Sequence, residues 1–169
     1  MPVTYSLIAS ATSNGSVASI TFSAIPQTYT DLVIRLTARN TGTNVDNSLA
    51  IQPNGSTTND SSTWLSGSGS AASSSRSTVD FNAGRITSGN ATANTFGSNE
   101  LYIPNYTSAT NKPMSIFGVA ETNATAVEMR VNAMLWSNTA AITSLSITTD
   151  GVGNFASGST FFLYGIKNS

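Results

Sequence analysis

Histidine and cysteine are both missing from this 169-residue chain, and charge of either sign is scarce. Without them, zinc, haem and thiol sites lose their usual ligands, and a Ser-His-Asp triad cannot be assembled. Nor does stability call for an oxidising compartment. Seven basic residues stand against eight acidic ones, a net charge of -1, so no electrostatic footprint for nucleic acid exists. Charged residues make up 9% of the chain, against about 25% in a typical soluble domain. Apolar runs such as Ala133-Met134-Leu135-Trp136 fall far below the roughly 18 residues that cross a bilayer, so no membrane partner is expected. The opening Met1-Pro2-Val3-Thr4-Tyr5 lacks the basic and apolar regions of a signal peptide, and synthesis in a cytoplasm is the expectation.

Neutral polar residues take the place of the missing charge: Ser, Thr and Asn supply 68 of the 169 residues. β-branched and aromatic residues are nevertheless too frequent for intrinsic disorder. The length predicts one domain over 1–169, able to bury roughly 70% of its unfolded surface.

Period-2 alternation dominates. In 32–39 one face is Leu32, Ile34, Leu36 and Ala38, and the other Val33, Arg35, Thr37 and Arg39, the pattern of a half-buried antiparallel strand. In 127–135 the alternation puts Val127, Met129, Val131, Ala133 and Leu135 inward, and Glu128, Arg130 and Asn132 outward. Strands are also predicted at 5–9, 19–22, 49–52, 101–103, 114–121, 142–148 and 160–166. Turn signals separate them at Asn14-Gly15, Pro53-Asn54-Gly55, Asn111-Lys112-Pro113 and Asp150-Gly151. No sustained helical stripe is present. The expected fold is all-β, an antiparallel jelly-roll-like β-sandwich of about eight to ten strands with no substantial helix. From 66 to 99 the rhythm breaks into a Ser/Gly/Asn-rich excursion whose apolar anchors are Val79-Asp80-Phe81 and Arg85-Ile86. A loop of this length is either a flexible excursion with one short strand near Phe81 or an arm that meets a partner.

Candidate chemistry is sparse. A Ser-Lys dyad would have to use Lys112, in a turn before proline, or Lys167 near the last residue, and neither place suits a buried base. Glu121 and Glu128 are the best carboxylate pair for glycoside hydrolysis, but both read as outward, solubilising groups. The turn from Asp150 to Asn154 is oxygen-rich without the spacing of an EF-hand. Six Asn-x-Ser/Thr sequons, at Asn14, Asn54, Asn59, Asn90, Asn105 and Asn123, barely exceed the roughly five expected by chance. No enzyme activity, metal or cofactor is therefore expected. The interaction candidates are Trp64 before the Ser-rich stretch, Arg76 and Arg85 within it, and Trp136, which shares the face of Glu128 and Arg130. Trp136 is then either exposed or covered by a neighbouring subunit, unless both tryptophans are simply packing.

Four segments resemble virion-associated β proteins of tailed bacteriophages. They are 17–33, through Ile20-Thr21-Phe22 and Ile25-Pro26-Gln27 to Asp31-Leu32-Val33; 94–106, with Leu101-Tyr102-Ile103-Pro104-Asn105-Tyr106; 135–145, from Leu135-Trp136-Ser137-Asn138; and 162–167, Phe162-Leu163-Tyr164-Gly165-Ile166-Lys167. The resemblance implies a jelly-roll-like particle protein and no catalytic residue. Its single domain without a shaft points to a capsid decoration (cement) protein that stabilises the head by binding the lattice of the major capsid protein. The alternative is a receptor- or carbohydrate-binding module of a tail fibre or tip. Two lysines leave its sheet edges with little charge to guard them, so a homo-oligomer is expected, a trimer on the virion surface before other orders.

Overall fold

In a computed structural model, residues 4–78, 82–123 and 128–168 are described, and they form twelve strands and no helix. Val79, Asp80, Phe81 and Val127 lie outside the described residues. The strands are β1 (Tyr5–Thr12), β2 (Ser19–Phe22), β3 (Asp31–Ala38), β4 (Asp46–Pro53), β5 (Asp60–Gly67) and β6 (Ala72–Ser77). They continue as β7 (Asn82–Thr87), β8 (Gly97–Ile103), β9 (Lys112–Ala120), β10 (Glu128–Trp136), β11 (Leu145–Thr149) and β12 (Thr160–Ile166).

Four antiparallel pairs nest inside one another along the chain: β1 with β12, β2 with β11, β3 with β8, and β4 with β7. A long hairpin rolled on itself produces this nesting, and the product is a jelly roll. Two further hairpins interrupt the nest. β5–β6 is inserted between β4 and β7, and β9–β10 between β8 and β11. They dock side by side through β8–β9 and β10–β5. One sheet therefore grows to eight strands, β1-β12-β3-β8-β9-β10-β5-β6, and the other keeps four, β2-β11-β4-β7. The all-β sandwich expected from alternation is the fold, with more strands than the alternation alone marks.

The core fills the space between the sheets. On β3 the inward Leu32, Ile34, Leu36 and Ala38 are all 3% exposed or less, as the alternation requires. Ile51 and Ile147 oppose one another in the small sheet, and Phe155 packs edge-on against Phe161 at 4.8 Å between ring centroids. The Asn54-Gly55 signal becomes a tight turn with φ of +51° and +70°, closed by the Ser56 N–H on the Pro53 carbonyl at 2.9 Å. Positive φ at both central residues is the reason for the Asn-Gly pair.

The Ser-rich excursion is not a loop. It contains β6, β7 and the start of β8, and β7 belongs to the small sheet with Ala83 and Ile86 fully buried. A side-chain clamp ties β7 to the large sheet. Asn99 on β8 accepts the Arg85 N–H at 3.1 Å and donates to the Arg85 carbonyl at 2.7 Å, so the amide copies a ladder pair across the sandwich. Space for it comes from Gly84 and Gly118, where an added Cβ would sit 2.2 and 2.0 Å from the Asn99 Oδ1.

Candidate interaction surface

Strand β10 presents the opposite face to the one expected. Arg130, Asn132, Met134 and Trp136 are buried at 4% exposure or less, while Met129 and Val131 stand about half exposed. The alternation is intact, but the strand is turned over. Its register puts Val131 between Leu65 of β5 and Phe117 of β9. These three and Met129 are 48 to 60% exposed, and they form an apolar row across the outer face of the large sheet. The other outward positions of β5, β9 and β10 are Ser61, Thr63, Gly67, Pro113, Ser115, Val119, Ala133 and Leu135, all uncharged, with charge at the borders in Arg76 opposite Thr63, Glu100 opposite Phe117, and Glu121. Two shallow depressions flank Met129. One, of about 360 Å³, is bounded by Gly67, Val119, Glu121 and Glu128; the other, of about 210 Å³, by Leu65, Ala72 and Val131.

The other half of the same outer face, on β1, β12, β3 and β8, is aromatic. Phe162 and Tyr164 are roughly parallel at 6.4 Å between centroids, and Tyr5 meets Tyr164 edge-on at 6.3 Å. At the middle of the sheet the Arg35 Nε donates to Glu100 Oε2 at 2.7 Å, with the guanidinium 5.5 Å from the centre of the Tyr5 ring. The Glu100 bond and its charge push the Arg35 pKa up. Tyr102 donates its phenol proton to the buried Asp31 at 2.8 Å, which raises the phenol pKa. Asp31 also accepts from the Asn105 N–H and the Asn168 side chain.

Behind the turned-over strand lies a partly buried ionic network. Glu128 accepts from Arg130 at 2.6 and 2.8 Å and pairs with Arg85 at 2.9 Å, and Arg85 lies 3.7 Å from Asp46. Arg130 also donates to Asn82 Oδ1, and Asn132 to the Asn82 carbonyl. Two guanidinium groups facing two carboxylates make the burial tolerable, because a buried charge without a partner is strongly destabilising. Desolvation still lowers the Arg130 pKa and raises that of Asp46.

The four interaction candidates do not converge on the surface. Trp136 is 1% exposed in the core, and its Nε1 has no hydrogen-bond partner among the described residues. It is neither exposed nor placed to meet a neighbour. Trp64 faces the same interior side, half-buried beneath the Arg130 guanidinium at 5.0 Å from its ring centre. Arg85 is part of the network, and Arg76 stands exposed on the edge strand β6. Glu128 is held by Arg130 and Arg85, so it and the exposed Glu121 are not a pair of free outward groups, although both border the same depression beside Met129. Lys112 is fully buried, donates to the carbonyls of Ser108 and Thr110, and has its pKa lowered by burial. In the turn from Asp150, the Val152 and Gly153 carbonyls are taken up by Asn40 and Thr149. No three acidic residues cluster as metal ligands among the described residues.

Phe117, Met129 and Val131 escaped the sequence reading because a period-2 strand does not say which side is in, and Leu65 because β5 carries no apolar stripe to mark it as a strand. The signal lay in Met134 and Trp136, which share parity with Arg130 and outweigh it in apolar bulk. Compared with protein-family models, curated proteins and solved structures, the chain matches none of them.

Proposed function

We propose that this is a structural protein of a phage particle, a capsid decoration protein that docks on the coat-protein lattice through the outer face of β5, β9 and β10. The observation that carries the reading is the charge-free apolar row of Leu65, Val131, Phe117 and Met129. Contiguous apolar surface of this kind marks contact sites on soluble proteins, and the inserted hairpins that bear it are additions to the jelly-roll frame. Covering the exposed half of four large side chains removes roughly 350 Å² of apolar surface, worth about 9 kcal/mol at 25 cal/mol/Å². Association costs on the order of 4–15 kcal/mol, so a single copy would hold weakly. Linked copies gain by avidity, which favours a homo-oligomer, with a trimer as the first expectation. The protein then stabilises the shell by mass action, binding assembled lattice in preference to free subunits.

Copy number in purified particles tests this directly: hundreds of copies mean decoration of the head, and a few to a few dozen refute it in favour of the tail. Phe117→Ser combined with Val131→Ser should strip the protein from particles while leaving it folded, with a melting temperature lowered by about 4–8 °C for the loss of a half-buried cross-strand pair. Full retention of the double variant would remove this face from the contact. A second reading, a receptor- or carbohydrate-binding module on the tail, draws on the aromatic half of the same sheet.

A further inference from the structure

The outer face between β12 and β9 holds a groove of about 400 Å³ whose lining includes Arg35, Glu100, Phe117, Phe162 and Tyr164. That volume lies in the range of small-ligand sites, about 300–1,000 Å³. Its floor is built from the central strands β3 and β8, each paired on both sides, so the groups in it are held rigidly. At its centre sits the Arg35–Glu100 pair, with side chains 55% and 50% exposed and zero net charge. Only Nε of the guanidinium and Oε2 of the carboxylate are committed to each other. Both residues line a space walled by Phe117 on one side and Phe162 and Tyr164 on the other, with the guanidinium also 5.5 Å from the Tyr5 ring centre. The hydroxyls of Thr37 and Ser98 lie along the same lining.

We infer that this groove binds a neutral oligosaccharide. A sugar ring offers what the groove lacks: an apolar C–H face for an aromatic ring and adjacent hydroxyls that donate and accept at once. A fixed acceptor and donor side by side match a pair of vicinal hydroxyls. A charged ligand would find its attraction cancelled by one member of the pair, and an apolar segment would desolvate the pair's remaining donors and acceptor with no hydrogen bond in return. The apolar row around Met129 has no such paired donor and acceptor, and Phe117 borders both surfaces. The site gives the carbohydrate-binding reading a location and a ligand class, yet it holds for a head or a tail position alike. The test below uses the isolated protein, so its failure is separable from the particle copy number.

The experiment is a titration of the isotope-labelled protein with lactose, maltose, cellobiose and N,N′-diacetylchitobiose, followed by backbone amide shifts. Each sugar is taken to about 20 mM, because an open site of this size binds disaccharides in the millimolar range. At least one sugar should give saturating shifts at Arg35, Thr37, Glu100 and Phe162. Glu100→Gln removes a charged acceptor on an exposed side chain and should weaken binding about tenfold. Phe162→Ala should do likewise, and Ser74→Ala on the edge strand β6, remote from the groove lining, should leave it unchanged. Absence of saturating shifts at these residues for all four sugars overturns the inference, as do shifts that persist undiminished in both groove variants. Shifts that follow protein concentration without sugar would assign the groove to a second copy and overturn it equally.

Discussion

Replacing Asn99 by Ala tests what holds the short sheet against the long one. The side chain is 3% exposed and makes both of its bonds to the backbone of Arg85. Its removal leaves an N–H and a C=O of β7 without partners in the interior, at about 1–3 kcal/mol each. The total is roughly 3–4 kcal/mol once some relaxation is allowed, or about 6–16 °C in melting temperature for a domain of this size. Calorimetry and urea unfolding both read this quantity. A double-mutant cycle sharpens it. Gly118→Ala drives a methyl to 2.0 Å from the Asn99 Oδ1, so it is destabilising alone and much less so when Asn99 is already Ala. The coupling should exceed about 1 kcal/mol. A loss below about 1 kcal/mol for Asn99→Ala, or additive effects in the double variant, would show that the clamp is not what joins the sheets.

Three other outcomes follow from the same geometry. The pKa of Asp46 is raised chiefly by desolvation, with Glu128 adding to the shift and Arg85 opposing it. Its contribution to stability is therefore full below the ordinary value of about 3.9 and is lost as pH rises through the raised folded value. Relative to Asp46→Asn, the native protein should gain stability between pH 7 and pH 4 in urea titrations; a pH-independent difference would contradict this. Trp136→Phe removes no hydrogen bond and should cost under about 2 kcal/mol, whereas Trp136→Ala should cost about 3–5 kcal/mol. In fluorescence, the Trp64→Phe protein, which keeps the buried Trp136, should emit at shorter wavelength than the Trp136→Phe protein, and the reverse order would refute the burial assignments.

Much of this architecture was legible in the residues taken alone. Alternation with Ser, Thr and Asn in place of charge determines an all-β chain, because only a period of two suits those patterns, and β2 and β12 fall where it places them. The Asn54-Gly55 turn follows from its dipeptide, and the inward face of β3 from Leu32, Ile34, Leu36 and Ala38. What lay beyond the sequence were the strands without a hydrophobic stripe of their own. β6 is mostly serine and β5 has only Trp64 and Leu65 as large apolar residues; β5 is a strand through its ladder with β10, a partner distant in sequence, and β6 through its ladder with β5. The side taken by β10 was likewise a tertiary decision. Counting apolar residues favours burying Met129, Val131 and Leu135, yet the register with β9 turns Met134 and Trp136 into the core. Burial of Arg130 and Asn132 then becomes tolerable only because Glu128 lies alongside and Asn82 of β7 reaches across the sandwich. Local pattern determines which residues share a face; which face meets water depends on partners that only the folded chain brings together.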